Sequence, residues 1–571
     1  MILAPLTMTG RLASLGGILL LAAPPLARAE LRLATPPAVD PEAGCLVWIE
    51  HRQDEGPWRL ADPDDLTVDV AGAGRLGEDP SGLLTNPVAV LATAADGGID
   101  MTVGLGGESV SRRLPIGAPP PEGRFRLSLP AGLAPGHAFE GFGGGVLFYD
   151  NQWEITDNDD LYEWCFRDVE TRFLHLLVRP DYEPANDNDD WRTLAADRFD
   201  FTASQRALGV ARRAIATRPE LEVYVSLYSP PAWMKANDST AGTAGLKTGE
   251  VFRRELAEYL AAFLLHAKRE HGIDVAYLAF FNEPDWPHSQ DGMHVKDLGE
   301  LADIFADAAE ALETILAGHD DLAMPRLVFP DSLGPGSITR AGRGTQALLA
   351  RRAMLRERVA VWGVHDYWNT GGYWDTRYRE LREFPPVAGK PIWMTEWAQR
   401  SRRGDLASGV EYAEKILNSI RLGSQAWMVF EWIHPSENQS GLLSTDWSAR
   451  PPRRRYWRSK AYHVFRQLAN STPVGSRVVA TRGRLEGLSG RSLTAGGPLV
   501  EHLAVRTDDE LILHLASGHH APIGLALELE GVDLDRPEIL ATGPTGDARR
   551  LEAVPRDLPP HTLLTIRAGL K

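Results

Sequence analysis

Two glutamates carry the most informative chemistry in this sequence. Glu283 closes the apolar run of "VAYLAFFNEPDW" (275–286), and Glu396 closes that of "PIWMTEW" (391–397). A carboxylate is costly to bury without a partner. An acid directly after an apolar run therefore either escapes to solvent or faces something that uses it. Asn282 precedes Glu283, Pro284 stops the element, and Trp286 follows. Polar and aromatic residues also end the neighbouring runs: Arg179; Ser229 to Trp233; Asp331; His365, Asp366, Tyr367 and Trp368; Trp397; Glu431 and Trp432. Singly, each has an ordinary explanation as a solvated loop residue, a salt-bridge partner or core packing. Their recurrence at equivalent positions is what points to a site.

Paired carboxylates with separated roles are the equipment for glycosidic cleavage. One protonates the leaving oxygen; the other attacks the anomeric carbon, and water later releases the sugar. This retaining route needs the two carboxyl groups about 5–5.5 Å apart. Trp233, Trp286, Trp368, Trp397 and Trp432 offer flat faces to sugar rings, and Asn282 can bond a sugar 2-hydroxyl. Glu431 is expected to touch the substrate or support the other acids. Other chemistries fit less well. A metal-dependent hydrolase of this kind wants an early His-x-His, whereas the first run has no His and the second only His175. A Schiff-base enzyme wants a Lys on a strand, and the runs contain none. No metal and no cofactor is expected.

The elements that must hold these residues are legible between 137 and 468. Eight short apolar runs alternate with amphipathic segments whose apolar residues recur at i, i+3, i+4 spacing. The runs are "FEGFGGG" (139–145), "RFLHLLVR" (172–179), "LEVYVSLY" (221–228), "VAYLAFFN" (275–282), "RLVFP" (326–330), "VAVWGVHDY" (359–367), "PIWMTEW" (391–397) and "AWMVFEW" (426–432). Eight such units predict a (β/α)8 TIM barrel, whose strands deliver active-site residues from their C-terminal ends. A doubly wound sheet would carry a phosphate-binding glycine turn opening a helix. "GFGGG" has the glycines, but no amphipathic helix starts there.

Residues 30–136 hold short strand-like pieces separated by turn signals, which predicts an N-terminal all-β domain. Strands return over 469–571 and predict a C-terminal β-sandwich. Residues 1–29 predict a cleaved export signal: Arg11, an apolar stretch too short for a membrane span, and Ala27-Arg28-Ala29. Export to the periplasm or outside the cell would permit a disulfide between Cys45 and Cys165, with two buried thiols the equal alternative. The chain has 571 residues and a net charge of −17, which argues against a nucleic-acid partner. A carbohydrate is the expected partner; oligomeric state is not encoded in any feature of the chain.

At the level of motifs the chain resembles clan A retaining glycoside hydrolases. "FNEP" and "WMTEW" look like the acid/base and nucleophile segments of that clan. "SLYSPPAWMKAND" (226–238), "GFGGG" and "GLLSTDWSARPPRRRYWRSKAYHVFRQLANSTPVGSRVV" (441–479) are similar to glycoside hydrolase family 30. The resemblance implies Glu283 as acid/base, Glu396 as nucleophile and Asn282 on the 2-hydroxyl. It further implies Arg179 supporting the nucleophile, His365 or Tyr367 beside it, and Trp432 flooring the subsite. "FFNEPD" and the residues before the barrel depart from the family pattern, which leaves β-glucan, β-galactan and xylan all open as substrates. A catalytically inert carbohydrate-binding barrel and a transglycosylase are the alternatives.

Overall fold

The computed structural model describes residues 29–571 apart from 54–55, 78–83, 155–158, 189, 288–289, 341–342, 368–373, 400–403, 436–439, 446–455, 493 and 495. Trp368 and the expected leader, except Ala29, lie outside the described residues. Eight parallel strands close into a barrel in sequence order. They are β1 Gly141–Val146, β2 Thr171–Val178, β3 Glu222–Leu227, β4 Val275–Ala279, β5 Arg326–Ser332, β6 Val359–Val364, β7 Ile392–Trp397 and β8 Ala426–Val429. Each falls on one of the eight apolar runs, because a strand covered on both faces needs no polar alternation.

Helices follow the strands: α1 Asp159–Phe166, α2 Gln205–Thr217, α3 Glu250–His271, α4 Leu298–Leu316, α5 Arg352–Arg358, α6 Trp374–Glu383, α7 Asp405–Leu422 and α8 Lys460–Ser471, with two short helices before α5. α3 is rich in Ala and Leu and stops at Gly272, whose left-handed φ of 68° turns its N–H back to the carbonyls of Ala267 and Lys268. Inside the barrel, Phe173, Tyr277 and Trp393 fill the N-terminal end, and the Trp393 indole donates to Glu140 Oε2 at 3.1 Å. β1 is built of glycine because of close approach. A Cβ on Gly145 would lie 1.9 Å from the Phe430 carbonyl oxygen, and one on Gly144 would lie 2.7 Å from the Trp432 indole.

The flanking β regions divide differently from the sequence expectation. Arg124–Ser128 pairs with Arg482–Glu486 and Ile523–Glu528, and Pro135–Ala138 pairs with Arg477–Val479. The first strand, expected in the N-terminal domain, and the second, at the expected boundary with the barrel, thus complete the sheets of the C-terminal one. The reason is packing: Phe125 and Leu127 need the apolar core of those two sheets, which also holds Leu513, Ile539 and Ile566. Local pattern shows which face of a strand is apolar, but not which sheet covers it.

The strands up to Pro115 form their own core around Val47, Ile49, Val90, Met101 and Val103. They lean on the barrel through Leu46 and Trp48 against Leu406 and Ala407 of α7. Trp58 is covered by the guanidinium groups of Arg32 and Arg52. Both tryptophans of this region are therefore engaged in packing. Cys45 and Cys165 are free thiols. Burial pushes Cys45 up to about 12 and Cys165 well above the usual thiol range.

Candidate active site

Backbone irregularity marks the C-terminal ends of three consecutive strands. Glu283, Asp331 and Asp366, beyond or near the ends of β4, β5 and β6, have φ of 44°, 61° and 63°. Non-glycine residues seldom occupy this region. Such conformations cost on the order of 1–3 kcal/mol each and persist where surroundings over-determine them. Two register shifts accompany them. One lies between Pro330 and Ser332 on β5, so that Asp331 is the extra residue. The other lies between Met394 and Trp397 on β7. A bulge re-aims side chains beside it. Here it lets both Thr395 and Glu396 face the barrel interior and sends Trp397 outward against Tyr412 and Trp427.

Glu283 and Glu396 meet at His365. Its Nδ1 lies 2.9 Å from Glu283 Oε1 and 3.6 Å from Glu396 Oε1, and its Nε2 lies 3.4 Å from Asp331 Oδ2. One oxygen of each glutamate and a nitrogen of His365 fall within 4.8 Å of one another. Glu396 accepts a hydroxyl on each oxygen, from Tyr228 at 2.6 Å and from Tyr367 at 2.9 Å. Asp331 accepts Tyr224 at 2.6 Å and Thr395 at 2.5 Å, and its carbonyl accepts the Glu283 N–H at 2.8 Å. By spacing alone Glu283, His365 and Glu396 could hold a metal ion. The oxygens of Glu396 are already taken by hydroxyl donors, however, and His365 faces Glu283 as a hydrogen-bond partner. That arrangement suits two carboxylates positioned for proton and bond transfer.

The electrostatics follow from burial and charge together. Desolvation by itself would lower the His365 imidazole. The charges of Glu396 and Asp331, with hydrogen bonds to Asp331 and Glu283, hold it well above its ordinary value instead. Burial would raise Asp331, but the positive His365 and the hydrogen bonds from His365, Thr395 and Tyr224 hold it below the usual carboxylate range. A raised histidine contributes stability that is complete below its unfolded value, about 6.5, and is lost as pH rises through the folded value. The depressed aspartate contributes above about 3.8, and its part is lost as pH falls through its folded value. Asp331→Asn removes one of the charges holding the imidazolium. Thermal melts across pH are expected to show its alkaline decline ending at lower pH, and being smaller, than in wild type; an unshifted alkaline limb would refute the coupling.

These groups open into a cleft of about 540 Å³, within the range of about 300–1,000 Å³ usual for ligand sites. Of the residues singled out in the sequence, Asn282, Glu283, Trp286, Tyr367 and Glu396 line it. His365 is fully buried just behind them. Asn282 is buried, and its Oδ1 has no hydrogen-bond partner among the described residues.

Other candidates are elsewhere. Trp397 and Trp432 are core residues, Trp432 being wedged against Phe166, Phe465 and the glycines of β1. Trp233 is pinned to the loop after β2 by its indole, which donates to the Glu183 carbonyl at 3.1 Å. Arg179 pairs with Asp150 at 3.4 Å; the donors on Glu396 are the two tyrosines. Glu431 is fully buried and accepts the N–H groups of Leu147, Phe148 and Tyr149. Burial pushes it up to about 8 against the pull of those three donors. Since Phe148 and Tyr149 line the cleft, Glu431 shapes the wall from behind. Glu431→Ala would strand buried N–H groups at about 1–3 kcal/mol each; a clear drop in melting temperature is expected, and an unchanged one would remove the clamp.

Sequence reading gave no role to Tyr228 and Tyr224, and marked Asp331 only as the end of its run. Period 2 along β3 puts Tyr224 and Tyr228 on one face, so both were findable once Tyr224 was taken as inward. Asp331 ends its run visibly, but its role depends on the bulge. Tyr228→Phe deletes a hydrogen bond to a charged group, worth about 1.5–3 kcal/mol. Turnover on an aryl β-glycoside is expected to fall roughly 10- to 100-fold with little change in melting temperature. Wild-type turnover in the variant would show the bond to be idle.

Comparison with known proteins agrees with this architecture. No protein-family model matches the sequence, and no curated protein does. Solved structures do. The catalytic domain of a glycoside hydrolase family 30 xylanase C from Talaromyces cellulolyticus superposes with a TM-score of 0.59 at 14% identity, over 78% of this chain and 99% of that one. A family 30 subfamily 8 xylanase from Clostridium acetobutylicum gives 0.56 at 18%, over 78% and 99%. The chain has the fold of these glycoside hydrolases. An endo-β-1,6-glucanase gives 0.53 at 15%, over 80% of this chain and 96% of its own. These matches extend over 78–80% of this chain; by name two of the proteins are xylanases and one an endo-β-1,6-glucanase.

Proposed function

We propose that this chain is an exported retaining β-glycosidase that hydrolyses a β-linked polysaccharide of the β-glucan, β-galactan or xylan type by double displacement. The observation that carries the proposal is the pair of carboxylates. Glu283 and Glu396 present one oxygen each within 4.8 Å of the other at the base of an open cleft, a proximity in keeping with the close pair that retention uses. Likeness of fold to glycoside hydrolases supports the same reaction class. Export rests on the leader-like N-terminal segment alone.

In this reading Glu396 attacks the anomeric carbon, its oxygens oriented by Tyr228 and Tyr367. Glu283, in its protonated form, gives its proton to the departing oxygen. It then takes a proton from the water that opens the glycosyl-enzyme ester. His365 offsets the negative charge of Glu396 and Asp331, so these carboxylates can sit close together without mutual repulsion deciding the geometry. The orphan Oδ1 of Asn282 offers an acceptor to a sugar hydroxyl beside Glu283, an interaction that strengthens toward the transition state. Trp286, 37% exposed, offers a face to a further ring. Incubation with xylans, β-glucans and β-galactans, with the first-formed anomer followed by NMR, tests the proposal. A β-anomer released first supports it; an α-anomer would overturn retention.

A further inference from the structure

A second group of ligating side chains lies outside the cleft, where the segment entering the C-terminal sandwich meets the loop joining its two sheets. His519 and His520 follow the strand Glu510–Ser517. Neighbouring residues of an extended strand point to opposite faces, but the bend brings these two imidazoles together, with ring centroids 4.3 Å apart and planes at 42°. Glu122, which precedes the strand Arg124–Ser128, reaches the same place from the far end of the chain. Its Oε2 lies 2.9 Å from His519 Nε2, and its N–H donates to the Pro522 carbonyl at 2.7 Å. One carboxylate oxygen and one nitrogen from each ring all fall within 4.8 Å of one another.

A histidine–glutamate hydrogen bond would be an ordinary packing feature if it stood alone. It does not account for the second imidazole beside it, nor for a third. The His561 ring lies tilted by 41° against Trp48 with centroids 5.3 Å apart, and its backbone N–H donates to the His519 carbonyl at 3.3 Å. It is 3% exposed, and neither of its ring nitrogens has a hydrogen-bond partner among the described residues. Two clustered imidazoles and one carboxylate, partly open to solvent through Glu122, make a donor set of the kind that divalent zinc takes.

We infer that Glu122, His519 and His520 form a zinc-binding site that ties the segment between the N-terminal strands and the sandwich to the loop that crosses between the two sheets after Ser517. Zinc bonds of about 2.0–2.2 Å place tetrahedral donors roughly 3.5 Å apart, so rotation of the part-exposed Glu122 and His520 side chains closes the group onto the ion. A fourth position is left for water, or for His561 after a small movement. Arg112 is the cation nearest in its influence on His520, and its guanidinium is directed to the Leu33 carbonyl at 3.3 Å. The site is remote from Glu283 and Glu396 in function and holds whether or not the cleft is a glycosidase, because its readout is metal binding.

The test uses the untagged full-length chain stripped with EDTA. Equilibrium dialysis against Zn²⁺ should give one equivalent per chain, with a rise in melting temperature. Glu122→Gln and His520→Gln, both on the less buried side, should each weaken binding at least about 10-fold and lose the thermal shift, while melting like wild type without metal. His561→Gln distinguishes water from His561 as fourth ligand by whether affinity falls further. Substoichiometric binding to the wild-type chain, or binding undiminished in both first variants, would overturn the site.

Discussion

Glu396→Gln is expected to lower kcat/KM on an aryl β-glycoside by on the order of 10^5–10^6-fold, as removal of a nucleophile does elsewhere. The variant tests chemistry rather than folding. Glutamine has nearly the same shape, its carbonyl oxygen can accept from one of Tyr228 and Tyr367, and its amide can donate to the other hydroxyl oxygen. The barrel strand that carries it is fixed by Trp393 and Met394 in two different cores. Melting temperature should therefore move little while activity disappears. Residual activity above about 1% of wild type, against the loss expected for a nucleophile, would assign the covalent step to another residue. A wild-type chain as inactive as the variant on every substrate, yet binding glycans, would make the barrel a binding module.

Glu283→Gln should behave differently, and the difference identifies the role. Losing a general acid costs about 10^2–10^4-fold, but only where the leaving group needs a proton. Turnover of polysaccharide is expected to fall by that factor. On a dinitrophenyl β-glycoside, whose phenolate departs unaided, the first step should stay fast and the glycosyl-enzyme should accumulate as a burst. Azide added to Glu283→Ala should restore turnover and give a β-glycosyl azide, because it attacks the intermediate held on Glu396. An equal loss on both substrates with no azide rescue would remove Glu283 from the acid/base role.

A good part of this was written locally. The eight apolar runs mark the eight strands because burial on both faces forces a continuous apolar stretch. The acids after runs four and seven were conspicuous because an acid there must have a use. Those two facts, with Asn282, Trp286, His365 and Tyr367, were enough to place a two-carboxylate site at the strand ends.

What sequence could not determine was decided by residues that meet only in three dimensions. Trp397 and Trp432 read as subsite walls, but a bulge in β7 turns the first outward, and the glycines of β1 make room for the second inside the core. Direction after a bulge depends on the partner strand, and no single strand carries that information. Arg179 was the expected support for Glu396; Tyr228 holds it, because the barrel brings β3 opposite β7 while Asp150 draws Arg179 aside. The strand Arg124–Ser128 left its apparent domain for a sheet some 350 residues away in the chain, as the pairing of Arg124 with Glu486 shows. The chain thus fixes by itself which segments are buried and which acids are exceptional. Tertiary structure alone decides which side chain faces which, since contacts between distant segments are set by closure of the barrel and sheets rather than by any local pattern.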